Sequence, residues 1–183
     1  MNAFRTMVAA LVFALVGLLS IPAHADLDIV ATTPDLAAVA KAVGGKYASV
    51  KAMSSPNQDP HYVDPKPSLT LMLNRADMLV INGLELEVGW LPPIQTNARN
   101  PKVQTGGSGF FDASQYVKRR GITDADRAKG DVHPGGNPHF MHDPRSAIRV
   151  ARAMSDQMAR IDPDHAADYR ANTEKFITEL EGV

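Results

Sequence analysis

The stretch LDIVATTPDLAAVAKAVGG, Leu27 to Gly45, decides the fold class. Leu27 to Thr33 is a short apolar, β-branched run that reads as a strand. Thr33 then stands at a helix N-cap, Pro34 suits the first helical turn, and Gly44-Gly45 offers the left-handed residue that closes a last turn. Strand, helix start and helix stop follow in order.

The alternation continues downstream. Ala48 to Met53 (ASVKAM) reads as a second strand running into SSPNQDPHYVDPKPS, whose prolines at 56, 60, 65 and 67 exclude regular structure. LTLMLNRA has helical spacing and DMLVING reads as a third strand. Leu86 to Ala98 is predicted helical, and Pro101 to Thr105 (PKVQT) is predicted as a fourth strand ending at GGSGFF, a glycine-rich turn. From Pro144 onward Ile148, Ala151, Met154, Met158 and Ile161 recur at three or four residues, the mark of an amphipathic helix. A further helix runs from about His165 with Tyr169, Phe176, Ile177 and Leu180 on one side. Together these predict an α/β fold, a three-layer sandwich with a mainly parallel sheet. Trp90 and the methionines at helical spacing are assigned to its core.

The N-terminus is a different kind of sequence. Arg5 precedes the apolar run Met7 to Leu19, and small residues follow at Ala23 and Ala25. This pattern predicts a secretory signal peptide over residues 1–25, because the apolar run falls short of the roughly 20 residues a membrane span needs. The chain has no cysteine, which leaves no site for a lipid anchor, no disulfide and no thiolate ligand. The expected product is periplasmic, not membrane-anchored after cleavage, and a monomer. A formal net charge of −1 without Lys/Arg clusters gives no footprint for nucleic acid.

The chemistry is concentrated in histidine. Of six histidines, three lie in GDVHPGGNPHFMHDP, Gly130 to Pro144, at positions 133, 139 and 142. His61 sits in the other proline-rich loop, between Pro60 and Tyr62. Both loops follow predicted strands, so they can share the rim where open α/β sheets bind ligands. Neutral imidazole is the commonest metal ligand, and a nearby carboxylate orients the ring through its other nitrogen. On spacing alone, a lone histidine in a loop is more often a surface residue or one satisfied by backbone hydrogen bonds than a ligand. His165, beside Asp164 at a helix start, is expected to be solvent-exposed. HExxH, GxGxxG, GxSxG and the P-loop pattern are all missing, so the chain shows no standard catalytic signature.

Three blocks carry a resemblance: DPHYVDPKPS from Asp59, ADMLVINGLELE from Ala76 and NPHFMHDP from Asn137. In order and spacing they resemble the zinc/manganese-type solute-binding proteins of bacterial ABC importers, the TroA-like group, whose DPHxxExxPS and DPHxWLDP motifs hold metal-ligating histidines. The resemblance implies that His61 and His139 are metal ligands, with His133 and His142 as auxiliary candidates. Asp64 stands where the family has glutamate, Asn137 where it has aspartate, Met141 where it has tryptophan, and His142 where it has an apolar residue; none of these removes a ligand.

The family further implies a second lobe after a long linking helix, supplying the remaining ligands. Residues 26–164 are therefore expected to form the N-terminal metal-binding lobe and 165–183 the start of the linking helix, in a truncated protein whose site would be weak. The implied function is capture of Zn²⁺ or Mn²⁺ as transported ligand and delivery to an inner-membrane ABC permease. The residues leave the choice of metal open. The competing readings are a secreted metal-dependent hydrolase built on His133, His139, His142 and Asp143, and a metal-buffering module.

Overall fold

The computed structural model describes residues 27–123 and 132–182; the predicted signal peptide, residues 1–25, lies outside them. Four strands form one parallel sheet, β1 (Leu27–Ala31), β2 (Ala48–Ala52), β3 (Met78–Ile81) and β4 (Phe110–Asp112), in the order β2-β1-β3-β4. Among the described residues five α-helices surround it: α1 (Pro34–Gly44), α2 (Pro67–Arg75), α3 (Leu91–Ala98), α4 (Pro144–Ile161) and α5 (Ala166–Glu181).

The sheet is buried on both faces because its strands are apolar at both parities of the two-residue repeat. Leu27, Ile29 and Ala31 of β1, with Met78 and Val80 of β3 and Phe111 of β4, face a core closed by α1, α4 and α5. Val30 and Leu79 point the other way, into a second core built with Leu69 and Leu73 of α2 and Ile94 of α3. This is the predicted three-layer α/β sandwich.

Several local expectations change. The predicted strand PKVQT is a 3₁₀ turn over Pro101–Val103, and the fourth strand begins later, at Phe110. Proline cannot donate to a ladder, and the side chain of buried Asn100 accepts the Lys102 N–H at 3.1 Å while donating to the carbonyls of Leu73 and Ala76. The glycines therefore precede the strand. Gly109 needs its missing side chain, since a Cβ there would overlap the Asp77 carbonyl oxygen. The helix expected from Leu86 starts at Leu91, with Pro92 and Pro93 in a first turn that has no use for their missing N–H groups. On α4 the buried stripe is Ala147, Val150, Ala151, Met154 and Met158, and Ile148 lies at its margin.

His165 is corrected from exposed to buried. Its Nδ1 lies 2.7 Å from Asp162 Oδ2 and its ring stacks on Tyr47 at 3.9 Å between centroids. Tyr169, also fully buried, donates its hydroxyl to the same Asp162 oxygen at 2.5 Å.

Met154→Ala should cost roughly 2–5 kcal/mol, because it opens a cavity at a fully buried position. Leu71→Ala, at a side chain 51% exposed, should stay within about 0.5 kcal/mol. Urea unfolding of both variants checks the assignment of the core.

Candidate metal centre

His61 follows β2 and His139 follows β4, the two edge strands of the sheet, yet both loops rise from the same carboxyl-end rim and lean inward. Their rings end 5.5 Å apart, centroid to centroid. The same local device carries each one. In Asp59-Pro60-His61 the aspartate side chain accepts the His61 backbone N–H at 2.9 Å, and in Asn137-Pro138-His139 the asparagine accepts the His139 N–H at 2.8 Å. These are Asx turns, with proline fixing the middle residue.

The proline carbonyls are then tied down from below. The buried indole of Trp90 donates to Pro60 O at 2.9 Å, and the buried amide of Asn82 donates to Pro138 O at 2.9 Å. Each histidine is thus fixed one residue upstream by a core side chain.

His133, an auxiliary candidate from the sequence, comes closer to His61 than a surface role would require. It is 8% exposed, its Nε2 lies 3.1 Å from His61 Nε2, and the ring centroids are 5.2 Å apart. Its Nδ1 meets the Leu84 carbonyl at 3.0 Å. On the far side, His61 Nδ1 meets Asp59 Oδ1 at 2.7 Å. The His61 backbone N–H first, and then its ring, hold the Asp59 carboxyl below the ordinary carboxylate range, so it stays ionised near neutrality.

His142 is exposed, with its ring 6.3 Å from that of His139. Asp143 is committed elsewhere: it accepts the Arg145 N–H as the N-cap of α4 and pairs with the Arg145 guanidinium at 2.9 Å, which holds its carboxyl low. Among the described residues no three His, Asp or Glu side chains already surround a common point at metal-bonding range. The pair distances are nevertheless those of a shared ion. Two imidazoles on one tetrahedral zinc, with bonds of about 2.0–2.1 Å, have nitrogens about 3.3 Å and centroids about 5 Å apart.

One segment, Asn82 to Trp90, holds both loops and with them His61, His133 and His139. Gly83, Leu84 and Glu85 run through it at φ of 80°, 52° and 66°, a left-handed path that costs the two non-glycine residues about 1–2 kcal/mol each. The buried Glu87 carboxylate pins it, accepting from the Asn82 and Gly83 N–H groups at 2.7 and 3.1 Å and from the Thr32 hydroxyl at 2.6 Å. Sequence reasoning gave Glu87 and Asn82 no role and assigned Trp90 only to the core. The available signal was a carboxylate and an asparagine embedded in the apolar block LVINGLELEVGW.

Burial pushes the Glu87 carboxyl above its ordinary value, and the three donors work against that shift. A carboxyl that titrates higher folded than unfolded favours the fold while protonated and loses that contribution as pH rises through its raised value. Glu87→Gln keeps the shape but turns an amide N–H toward the Gly83 N–H. The expected cost at neutral pH is roughly 1–3 kcal/mol. The variant should also lack the decline in stability that this carboxyl adds above its ordinary value of 4.5. Urea titrations across that pH range read both effects.

Comparison with known proteins gives a consistent family. The model of the zinc-uptake complex component A, periplasmic (ZnuA) matches residues 29–183. The manganese ABC transporter substrate-binding lipoprotein scaA of Streptococcus gordonii is 25% identical over 158 residues, 84% of this chain and 48% of that protein. The manganese-binding lipoprotein MntA of Halalkalibacterium halodurans is 26% identical over 155 residues, 85% of this chain and 46% of that protein. The chain spans about half the length of these curated relatives. Among solved structures, a zinc-bound deletion mutant of ZnuA superposes with a TM-score of 0.70 at 26% identity, covering 86% of this chain and 55% of that one.

Proposed function

Because the chain belongs to the ZnuA family of periplasmic zinc-uptake components, we propose that it takes part in capturing a divalent transition metal, Zn²⁺ or Mn²⁺, and delivering it to an inner-membrane ABC permease. In this reading the protein is exported to the periplasm through a cleaved N-terminal signal, and it acts as a receptor and not a catalyst. His61 and His139 are the ligands, and residues 26–164 form the metal-binding lobe.

The observation that carries this reading is the meeting of two stiffened imidazole loops from opposite edge strands, 5.5 Å apart above the strand ends. Loops so placed lose little entropy when the rings are fixed on an ion. Asp59 supports the same reading. By accepting from Nδ1 it leaves Nε2 of His61 as the electron-pair donor and raises its basicity, as outer carboxylates do for metal-bound histidine. Binding needs neutral imidazoles, so affinity should fall under acidic conditions and the captured ion should be released there.

Zinc affinity measured by chelator competition should fall at least tenfold in His61→Ala and in His139→Ala. Asp59→Asn should lose roughly 10–100-fold while the fold is kept. Undiminished zinc and manganese binding in both histidine variants would refute the site. Zinc-dependent hydrolysis of ester or peptide substrates by the purified chain would instead favour an enzyme.

A further inference from the structure

We propose that the cavity between the chain after β4 and the start of α4 is a binding site for a small carboxylate anion, held by Lys118, Arg120, Asn137 and Ser146. The cavity has a volume of about 260 Å³ and counts His139 among its walls, so it adjoins the candidate metal centre. It stands on its own geometry and does not require that His61 and His139 bind metal.

The fold leaves donors unused around this cavity. Ser146 is only 5% exposed and lines it, and the Ser146 hydroxyl makes no hydrogen bond among the described residues. A buried hydroxyl ordinarily has a partner, so this one marks a place for an acceptor. In Asn137 the Oδ1 atom is fixed by the His139 N–H at 2.8 Å, which leaves the side-chain NH₂ as a donor on the cavity wall. Among the described residues Lys118 forms no ion pair, and Arg120 reaches Asp143 only at 3.9 Å. The planar fork of Arg120 is therefore open to a carboxylate.

Among the described residues of the lining Asp143 is the only carboxylate, and the Arg145 guanidinium already neutralises it through contacts of 2.9 and 3.0 Å. Lys118 and Arg120 then leave the walls cationic, which favours an anion, while Asp143 opposes a doubly charged one. Two departures from the family motif meet here: Asn137 replaces an aspartate and His142 an apolar residue, and both line the cavity. An aspartate at 137 could make the same turn but would present a second carboxylate to the site. Asparagine keeps the turn and adds a donor. The volume falls below the roughly 300–1,000 Å³ of sites for drug-sized molecules, so the anion is small, with Phe140 offering contact to its carbon chain.

The test uses the purified chain, free of metal and at low ionic strength, with acetate as the probe and chloride and inorganic phosphate as comparison anions. In ¹⁵N spectra acetate should shift the Asn137 side-chain amide and Arg120 Nε with a saturable dependence, while chloride at equal ionic strength leaves them in place. Arg120→Gln and Asn137→Asp should each weaken acetate binding roughly fivefold or more. Both positions are exposed, and an unchanged urea midpoint checks that the fold is kept. Lys41→Gln, at an exposed cation outside the cavity, should leave acetate binding unaltered. Shifts no different from those of chloride, or undiminished acetate affinity in either cavity variant, would overturn the site. Phosphate binding more tightly than acetate at the same residues would overturn the carboxylate assignment. No metal is present, so the result is independent of the zinc titrations of the histidine variants.

Discussion

The buried carboxylate of Glu87 is the constraint on which the site depends. It bridges the ends of the two central strands, taking the Thr32 hydroxyl beyond β1 and the Asn82 and Gly83 N–H groups beyond β3. The chain leaves β1 toward one edge of the sheet and returns to β3 on the other side, so this crevice is the topological switch point where open α/β sheets place their ligands. Here the crevice is filled by a protein carboxylate, and the candidate metal centre is built one layer further out. Three hydrogen bonds to one carboxyl tie to the strand ends a left-handed turn that costs about 1–2 kcal/mol per non-glycine residue.

From that turn the site is assembled outward by single contacts. Asn82 reaches the Pro138 carbonyl, Trp90 the Pro60 carbonyl, and the Leu84 carbonyl receives the ring of His133. The prolines do two jobs: they stiffen the loops, and their carbonyls serve as anchor points just before the histidines. Since neither loop belongs to a helix or strand, this anchoring is what converts flexible chain into a defined imidazole pair. The outer histidine His142 has no contact of this kind with the Asn82 to Trp90 segment and stays exposed.

Where local expectation and structure part, tertiary contact decided. PKVQT has strand-like residues, but Asn100 captures its backbone and ties the turn to the end of α2. His165 beside Asp164 looks like a solvated helix start, yet Asp162 and the Tyr47 ring form a pocket around it that brings α5 against α1. In each case the deciding contact reaches beyond the local pattern: Asn100 acts through residues 24 and 27 positions earlier, and Tyr47 lies in another element.

The sequence by itself determined the alternation of strands and helices, the parallel class of the sheet, and the two Asx-Pro-His loops, because periodicity, capping residues and proline act over a few positions. It also pointed to His61 and His139 through motif resemblance. Only the tertiary structure decided the strand order that puts those loops on opposite edges and still brings their rings within 5.5 Å. Only it decided that His133 faces His61 at 3.1 Å, and that Glu87 holds the turn beneath them. Those contacts join residues at least 49 positions apart, or depend on burial that removes water from a carboxyl group, and neither distance nor desolvation is written in a local pattern.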